Sequence, residues 1–333
     1  LRLVGSEMCI RDRDTNPELS KIEGVTSFCH VLTESNTTHK SVPMLLSPVS
    51  AQNFDSIYYR KSIITAFKEA GFQTAFFSNQ RYNHSFIDFF GMEADTYDFI
   101  KEDSQDSQYN PSDDELLMLV EKELEKGNRK QFIVLHTYGS HFNYRERYPE
   151  TAAFFLPDFP VDAEVKYKDN LMNAYDNSIR YTDNFLARII HLLKQQQVDA
   201  SMLYTSDHGE DIFDDGRHLF LHASPVPSYY QLHVPLLLWT SDSYREEYPG
   251  IEKAASMNRQ KNISSSISFF QTMMELAGIE TPYRNDSLSV TSPLYTEKSR
   301  VYLNDHNEPH SLDDIGMRKE DFEMLKKRGI DAQ

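Results

Sequence analysis

The 333-residue sequence has little cysteine, no long apolar run and no excess of positive charge. Its two cysteines, Cys9 and Cys29, lie outside any Cys-x-x-Cys or Cys/His pattern, so no disulfide framework, thiolate metal site or cysteine nucleophile is predicted. No stretch approaches the roughly 20 apolar residues that cross a bilayer, so we expect this piece of chain to be soluble. With 34 basic against 51 acidic residues, a net charge of -17 would repel a nucleic-acid backbone, which excludes a nucleic-acid partner.

The chain does contain enough apolar side chain to build a core. Hydrophobic residues make up 39% and aromatic residues 12% of the sequence, which is typical of a folded protein. The length favours one large α/β domain. Residues 1–13 (LRLVGSEMCIRDR) resemble the translation of a sequencing adaptor, which predicts that the natural N-terminus has been overwritten. We therefore divide the chain into an artefactual segment 1–13, one folded domain 14–310 and a charged tail 311–333.

Helical and strand patterns alternate after residue 13, which predicts a central, mostly parallel sheet flanked by helices on both faces. Apolar spacing predicts helices at 60–71, 116–126, 165–196 and 264–277 and a short surface helix in the tail, and apolar runs predict strands at 73–78, 131–137, 202–205, 234–240 and 300–304. Ser112 to Glu115 read as a helix-capping signal. Functional residues gather at the carboxyl ends of parallel strands, and here those ends carry Asn79, His141 and Asp207-His208.

The sharpest local pattern is Ser206-Asp207-His208-Gly209-Glu210, which places a carboxylate beside an imidazole where a buried strand ends. Both side chains are zinc ligands, and the glycine allows the chain to turn sharply away. The pattern is short, and its alternative interpretation is a capping Asp beside a core His.

A second pattern is the hydroxyl-rich turn at 35–43, which runs into the apolar residues 44–46 and predicts the start of a helix. A hydroxyl at a helix N-terminus lies in a positive potential, and a metal ion on the same oxygen would make it a nucleophile. The alternative is a Thr or Ser that only caps the helix.

Four histidines stand at the ends of apolar segments: His136, His141, His218 and His222. Imidazole can donate to phosphate oxygens or bind a second metal ion. The alternative for each is an ordinary surface residue.

Taken in order, these segments resemble the phosphoethanolamine transferases, inner-membrane members of the alkaline phosphatase and sulfatase superfamily, from about Asp14 to Asn304. The matching segments are Asp14-Thr15-x-Pro17-x-Leu19, Thr38-x-x-Ser41-Val42-Pro43-Met44, the Leu-His-x-x-Gly-x-His that ends at His141, Asn-Ala-Tyr-Asp-Asn at 173–177, Ser-Asp-His-Gly-Glu at 206–210 and the Leu-His that ends at His222. The resemblance implies an alkaline phosphatase/sulfatase-like α/β fold.

The resemblance also implies a metal site and a reaction. Thr38, Asp207 and His208 would bind zinc, as one or two ions, together with a glutamate from a Gly-Glu-Ser segment near the start. Thr38 would take phosphoethanolamine from phosphatidylethanolamine and form a phosphothreonine. A hydroxyl of lipid A, of a core sugar or of another envelope glycan would then receive the group.

Four further residues receive roles from the same resemblance. His141 and His222 would hold phosphoryl oxygens or a second zinc ion, and Asn79 and His84 would contact the head group of the donor lipid. Relatives carry this domain in the periplasm, attached to the inner membrane by N-terminal helices that this sequence lacks.

Three departures from the family pattern bear on these roles. Gly5-Ser6-Glu7 inverts the order of Gly-Glu-Ser and lies too close to Asp14, so Glu7 is not assigned as a ligand. The membrane helices are absent, and so are the cysteine pairs of many relatives, which indicates a cysteine-poor branch whose acceptor can differ from lipid A. With three of the four zinc ligands, this piece is predicted to bind zinc weakly.

Several alternatives would share Thr38, Asp207 and His208. They are a phosphoglycerol transferase of the lipoteichoic acid synthase type and a phosphatase or phosphodiesterase of the same superfamily. Another is an inactive truncated fragment that lacks one zinc ligand. A sulfatase activity is disfavoured because no Cys/Ser-x-Pro-x-Arg segment stands at Thr38. The donor lipid, phosphatidylethanolamine or phosphatidylglycerol, distinguishes the two transferases.

Overall fold

The computed structural model describes residues 13–101, 110–127 and 130–332, so Glu7, Cys9 and the rest of segment 1–12 lie outside the described residues. The strands are β1 (Val25–Phe28), β2 (His30–Leu32), β3 (Gln73–Ser78), β4 (Thr96–Phe99), β5 (Gln131–His136), β6 (Ser201–Thr205), β7 (Asp211–Ile212), β8 (Phe220–Leu221), β9 (Leu236–Thr240), β10 (Asn262–Ser264), β11 (Tyr302–Leu303) and β12 (Pro309–His310). The helices are α1 (Thr38–Leu45), α2 (Ile63–Glu69), α3 (Phe86–Gly91), α4 (Asp114–Glu125), α5 (Lys168–Gln195), α6 (Tyr229–Leu232), α7 (Asp242–Glu247), α8 (Pro249–Asn258), α9 (Ser265–Leu276) and α10 (Lys319–Lys327).

Two three-stranded sheets form the centre of the fold. The order β4-β3-β5 is parallel throughout, whereas in β1-β9-β6 the middle strand runs antiparallel to both neighbours. A further parallel pair joins β2 to β10. The predicted α/β class with a parallel sheet is confirmed. The antiparallel direction of β9 was not predicted, because an apolar run carries no information about strand direction.

The helices lie on both faces of the sheets, as predicted, and β3 shows why. Successive strand residues point to opposite faces. Ala75 and Phe77 pack with Leu116 of α4 and Ile189 of α5, whereas Phe76 packs on the other face in the cluster that includes α1, α2 and α9. The near-continuous apolar run of β3 follows from burial on both sides.

A cavity of about 1270 Å³ lies between β5 and β6. Among the strands that the structure describes, β5 and β6 are edge strands of their respective sheets. Both strands line the cavity along their full lengths, and the apolar side of α5 lines it as well. Thr38, Asp207 and His208 line the same cavity. The candidate site residues therefore line the cavity between the edges of the two sheets.

The predicted elements are present, with boundaries shifted by local hydrogen bonds. The helix predicted at 60–71 begins later, because Ser62 caps α2 by accepting from the Ile64 and Thr65 amides, and a 3-10 helix at 51–59 precedes it. The predicted cap of α4 is only partly correct. Ser112 Oγ accepts from the Asp114 amide, but Asp113 makes no capping bond.

The C-terminal tail contains the predicted surface helix, α10, but one side of this helix is anchored to the domain. Leu325 is buried in a cluster with Tyr229 and Leu232 of α6. Asp321 is fully buried and accepts two hydrogen bonds, of 2.6 and 2.7 Å, from the guanidinium of Arg217. The tail is therefore held by a buried ion pair as well as by apolar contacts.

We expect Arg217→Ala to lower the free energy of unfolding by about 3 kcal/mol, because it leaves the buried Asp321 carboxylate without its cation. Urea unfolding followed by circular dichroism would measure the loss. Lys319→Ala is the matched control on the same helix, since the Lys319–Glu323 pair is exposed and its removal should leave the midpoint unchanged. Equal effects of the two variants would contradict the assignment.

Candidate active site

Thr38 is the first residue of α1, and its side chain points to the Asp207-His208 segment. Thr38 Oγ1 lies 3.1 Å from Nε2 of His208. The residue at the N-cap position is Thr37, which makes no capping bond through its side chain. The alternative that Thr38 only caps the helix is therefore wrong. Its hydroxyl lies at the positive end of an eight-residue helix, where negative charge on the oxygen is favoured.

The turn before Thr38 is fixed by hydrogen bonds to distant parts of the chain. Thr33 Oγ1 donates to the backbone carbonyl of Asp207 at 2.8 Å. The Asn36 amide donates to Gln231 Oε1 at 2.6 Å and to the Ser224 carbonyl at 2.9 Å. These bonds set the position of the Thr38 hydroxyl relative to the end of β6.

The chain leaves β6 through Asp207, His208 and Gly209. His208 Nδ1 lies 3.0 Å from the Gly209 carbonyl oxygen, which assigns the proton to Nδ1 and leaves the Nε2 lone pair directed toward Thr38. A Cβ at position 209 would overlap the carbonyl oxygen of Tyr230, so only glycine allows this close approach. The glycine is therefore required for a close approach to the Tyr230 carbonyl, whereas the sharp turn assigned to it stays a prediction.

One oxygen of the Asp207 carboxylate, Oδ2, is buried and has no hydrogen-bond partner among the residues that the structure describes, although the side chain as a whole is 24% exposed. This oxygen lies 3.5 Å from His208 Nε2. Burial raises the pKa of Asp207, but His208, the Thr38 hydroxyl and the more distant His136 and His222 outweigh burial and hold the pKa below its usual value. The side chain is therefore ionised and lacks a full partner.

These atoms fit a zinc ion. A buried carboxylate oxygen, an imidazole nitrogen and a hydroxyl oxygen face one another, and zinc binds oxygen and nitrogen ligands of these kinds. Within residues 13–101, 110–127 and 130–332, no three His, Cys, Asp or Glu side chains group into a metal site. The third donor in the described region would therefore be the hydroxyl of Thr38.

The predicted histidines His222 and His141 lie beside His208. The ring centroid of His222 is 4.0 Å from that of His208 and 5.9 Å from that of His141. The residues on either side of His222, Leu221 and Ala223, have φ of 66° and 60°. Positive φ in residues with a side chain is a strained conformation that often marks functional loops.

Sequence reasoning missed two residues that orient His222. Its Nδ1 lies 3.0 Å from Oε1 of Glu210, and the other oxygen of Glu210 accepts a hydrogen bond from the Tyr144 hydroxyl. Glu210 was part of the motif, but no spacing signal relates it to Tyr144 or His222. With Nδ1 engaged by Glu210, the nitrogen left for a substrate is Nε2.

Asn79 and His84, the predicted head-group residues, are not in contact with this cluster. The Asn79 amide donates to Asp113 and to the Pro111 carbonyl, at 2.7 and 3.0 Å. His84 lies on an exposed loop with its ring 4.6 Å from that of Tyr82. The role assigned to these two residues stays a prediction.

The fold and the site together define a class of protein. Helices cover both faces of the sheets, and a hydroxyl at the start of α1 lies opposite the Asp207-His208 pair at the end of β6. This is an alkaline phosphatase/sulfatase-like arrangement, as predicted. The chain belongs to the sulfatase family, whose family model matches residues 9–279.

Among similar proteins, the phosphoethanolamine transferase EptA of Salmonella typhimurium is 28% identical over 299 residues, which cover 84% of this chain and 52% of that protein. The C-terminal periplasmic domain of EcEptC from Escherichia coli, solved in complex with Zn, has a TM-score of 0.82 at 24% identity and covers 92% of this chain and 87% of that one. The integral membrane protein lipooligosaccharide phosphoethanolamine transferase A from Neisseria meningitidis has a TM-score of 0.74 at 24% identity and covers 84% of this chain and 53% of that one.

These comparisons confirm the predicted resemblance to phosphoethanolamine transferases and the assignment to an enzyme family. The chain spans about half the length of the curated relatives it matches. No helix in the described part of the chain is both long and apolar enough to cross a membrane.

Glu34, which sequence reasoning also missed, lies buried at the start of the Thr38 turn. Its Oε2 accepts from the Ala51 amide at 2.9 Å, and its Oε1 has no partner in the described ranges. Burial raises the pKa of Glu34 to about 7, against the opposing effects of the Ala51 amide and of Arg300. A buried carboxyl group that is neutral in mild acid therefore lies at the start of the turn that carries Thr38.

We expect Glu34→Gln to change how stability depends on pH. Because the folded-state pKa of Glu34 lies above the usual 4.5, its contribution to stability is fully present below pH 4.5 and is lost as pH rises through about 7, by up to about 3 kcal/mol. Glutamine keeps an acceptor for Ala51 and cannot ionise. Urea unfolding at pH 5 and pH 8 should show a smaller loss in Glu34→Gln than in the wild type and in the exposed control Glu121→Gln, because only the contributions of Asp183 and Asp211, whose pKa burial raises to about 6, remain in that variant. Parallel profiles in all three proteins would refute the assignment.

Proposed function

We propose that this chain is the catalytic part of a zinc-dependent enzyme that transfers phosphoethanolamine from phosphatidylethanolamine to a hydroxyl of a cell-envelope glycolipid or glycan. The observation that carries the proposal is the 3.1 Å approach of Thr38 Oγ1 to His208 Nε2 beside the unpartnered Asp207 oxygen. This geometry supports the assignment of Thr38 as nucleophile beside a site suited to a cation. Similarity to proteins named phosphoethanolamine transferases supplies the transferred group.

Zinc would be held by Thr38, Asp207 and His208, and the Zn complex of EcEptC, which shares the fold, supports this choice of metal. Bound zinc lowers the pKa of a hydroxyl it contacts and withdraws charge from a phosphoryl group. Asp207 supplies negative charge, and the bond from His208 Nδ1 to the Gly209 carbonyl fixes the orientation of the ring. The fourth ligand predicted from the resemblance, a glutamate ahead of Asp14, lies outside the described residues.

In the first half of the reaction, Thr38 Oγ1 attacks the phosphorus of the donor. An oxygen–phosphorus bond to Thr38 forms, and the bond from phosphorus to the glycerol oxygen breaks. The hydroxyl proton of Thr38 ends on the departing diacylglycerol, and the chain holds phosphoethanolamine as a phosphothreonine.

In the second half, an acceptor hydroxyl attacks the phosphothreonine and its proton returns to the oxygen of Thr38. His222, held by Glu210, presents Nε2 to the phosphoryl oxygens, and His141 lies on the far side of His222. As an imidazolium, which donates from Nδ1 to Glu210 and from Nε2 to the substrate, His222 would stabilise the charge that shifts among those oxygens in both halves.

Similarity to other proteins supports proposals for the acceptor and for the cellular location. The name of the related Neisseria meningitidis protein contains lipooligosaccharide, which supports a glycolipid acceptor, and that protein is an integral membrane protein. The EcEptC domain is periplasmic. We propose that this chain likewise acts in the periplasm, as part of an inner-membrane protein.

We expect Thr38→Ala to abolish covalent capture of phosphoethanolamine and to leave the fold intact, because the side chain is small and lies at a helix end. Intact-protein mass spectrometry after incubation with a short-chain phosphatidylethanolamine would detect the adduct. Thr38→Ser is the matched control, since it keeps a hydroxyl and should retain part of the capture. An adduct that persists in the alanine variant would exclude Thr38 as nucleophile. An adduct from phosphatidylglycerol alone would point to a phosphoglycerol transferase.

We expect Asp207→Asn to weaken zinc binding by at least about tenfold, because it replaces an ionised ligand oxygen with a neutral amide oxygen. Competition with a chromophoric chelator would measure the affinity. Asp199→Asn is the control, because Asp199 is exposed and precedes the same strand at its other end. Weak binding by the wild-type chain would agree with a missing fourth ligand, whereas tight, stoichiometric zinc would contradict that prediction.

A further inference from the structure

Three large apolar side chains are exposed within six residues of the segment that joins β5 to α5. Phe154, Leu156 and Phe159 are 60%, 67% and 70% exposed. They belong to residues 153–160, which we call the apolar loop. Contiguous exposed apolar side chains are uncommon on soluble surfaces and mark sites of contact with a partner or a membrane.

The exposure of this loop does not result from a loose backbone. Asn177, which is fully buried on α5, accepts from the Phe154 and Phe155 amides at 2.9 and 2.8 Å and donates to the Phe155 carbonyl at 3.0 Å. Phe154 is therefore held with its ring outward by a buried amide.

Two more asparagines extend the same row along α5. Asn173 donates to the Pro157 carbonyl at 2.8 Å, and Asn170 donates to the Pro160 carbonyl at 3.2 Å. Residues three and four positions apart share one face of a helix, so positions 170, 173 and 177 form a continuous support. These hydrogen bonds fix the backbone on both sides of Leu156 and next to Phe159.

The outward surface of the apolar loop carries no exposed charge. Its one ionisable residue, Asp158, is buried and turned inward, where it accepts from the Tyr148 hydroxyl at 2.7 Å and pairs with Arg145 at 3.2 Å. The chain as a whole has 26% charged residues, so an outward surface without charge stands out. Such a surface is suited to an apolar medium, because no charged group has to be transferred out of water when the loop inserts. The guanidinium of Arg180 lies 4.0 Å from the centre of the Phe154 ring. Arginines in this position can stay at the level of lipid head groups.

We propose that the apolar loop inserts into the surface of a lipid bilayer and holds the active site against it. This inference rests on the proposed function, in which the donor is a membrane lipid. The segment between β5 and α5 carries both the apolar loop and His141, and Tyr144 in the same segment bonds to Glu210. Insertion of the loop would therefore bring lipid head groups to the edge of the fold that holds Thr38 and His222. A zwitterionic surface is favoured, because the net charge of -17 opposes an anionic one.

The test is sedimentation of the chain with phosphatidylcholine vesicles, which contain no donor lipid and so do not engage the proposed active site. We expect the triple variant Phe154→Ser, Leu156→Ser, Phe159→Ser to lower the bound fraction at least about fivefold, because it removes most of the insertable apolar area. The matched control is Met118→Ser, Met257→Ser, Leu294→Ser, three exposed apolar residues elsewhere, which should leave binding unchanged. No binding by the wild-type chain, or equal binding by wild type and both variants, would overturn the proposal.

A second measurement locates the contact independently of the triple variant. The only Trp of the chain, Trp239, is buried, so Phe159→Trp adds one exposed reporter. We expect its emission to shift to the blue on addition of vesicles and to be quenched by brominated acyl chains. Unchanged emission would place the loop outside the bilayer and reject the proposal.

Failure of this proposal is distinguishable from failure of the proposed function. If the loop does not insert, Thr38 would still be modified by a soluble short-chain donor, while vesicle binding would be absent or independent of the loop. If the chain is not a phosphoethanolamine transferase, the short-chain donor would leave no adduct, while loop-dependent vesicle binding would be unaffected.

Discussion

The site is organised around one constraint, which is the ionised Asp207 carboxylate at the end of β6, one of whose oxygens is buried. Charge in that position is costly unless other groups compensate it. His208 and the Thr38 hydroxyl face the carboxylate, and Thr33 fixes its backbone carbonyl. One oxygen is nevertheless left without a partner in the described part of the chain, which is the condition a bound cation would satisfy. The positions of α1, of the turn before it and of Gly209 all follow from bringing these groups together.

Much of the fold could be predicted because burial leaves a clear periodic signal. The runs at 73–78 and 131–137 became β3 and β5 almost unchanged, and the spacing in 165–196 gave α5. The meeting of Thr38, Asp207 and His208 was also predictable, partly because strand ends concentrate functional groups and partly because several ordered motifs resembled one family. Boundaries moved where side chains capped helices, as Ser62 does, because such bonds depend on geometry that residue type alone does not fix.

The remaining features depend on contacts between segments far apart in sequence. Tyr144 and Glu210 are 66 residues apart, and Arg217 and Asp321 are 104 apart, so no local pattern relates them. The hydroxyl-rich turn likewise gives no indication in the sequence that the adjacent Glu34 is buried. The same holds for the asparagine row of α5: Asn173 and Asn177 belong to a motif that the sequence analysis recognised, but Asn170 and the loop that the row supports lie outside that motif. Predicting these features requires knowledge of which surfaces meet, which periodicity does not supply.

The strand pairing also has a consequence for how the chain is made. β1 pairs with β9, β2 pairs with β10, and Leu32 bridges to His233, so the strand partners of residues 25–32 lie among residues 233–264. During synthesis the segment that carries Thr38 would therefore emerge early and wait for most of the domain to be translated. Pairings of such long sequence separation fold slowly, and unpaired strands are prone to aggregate in the meantime. Translation rate and chaperone supply should consequently affect the yield of this domain more than that of a protein with local contacts.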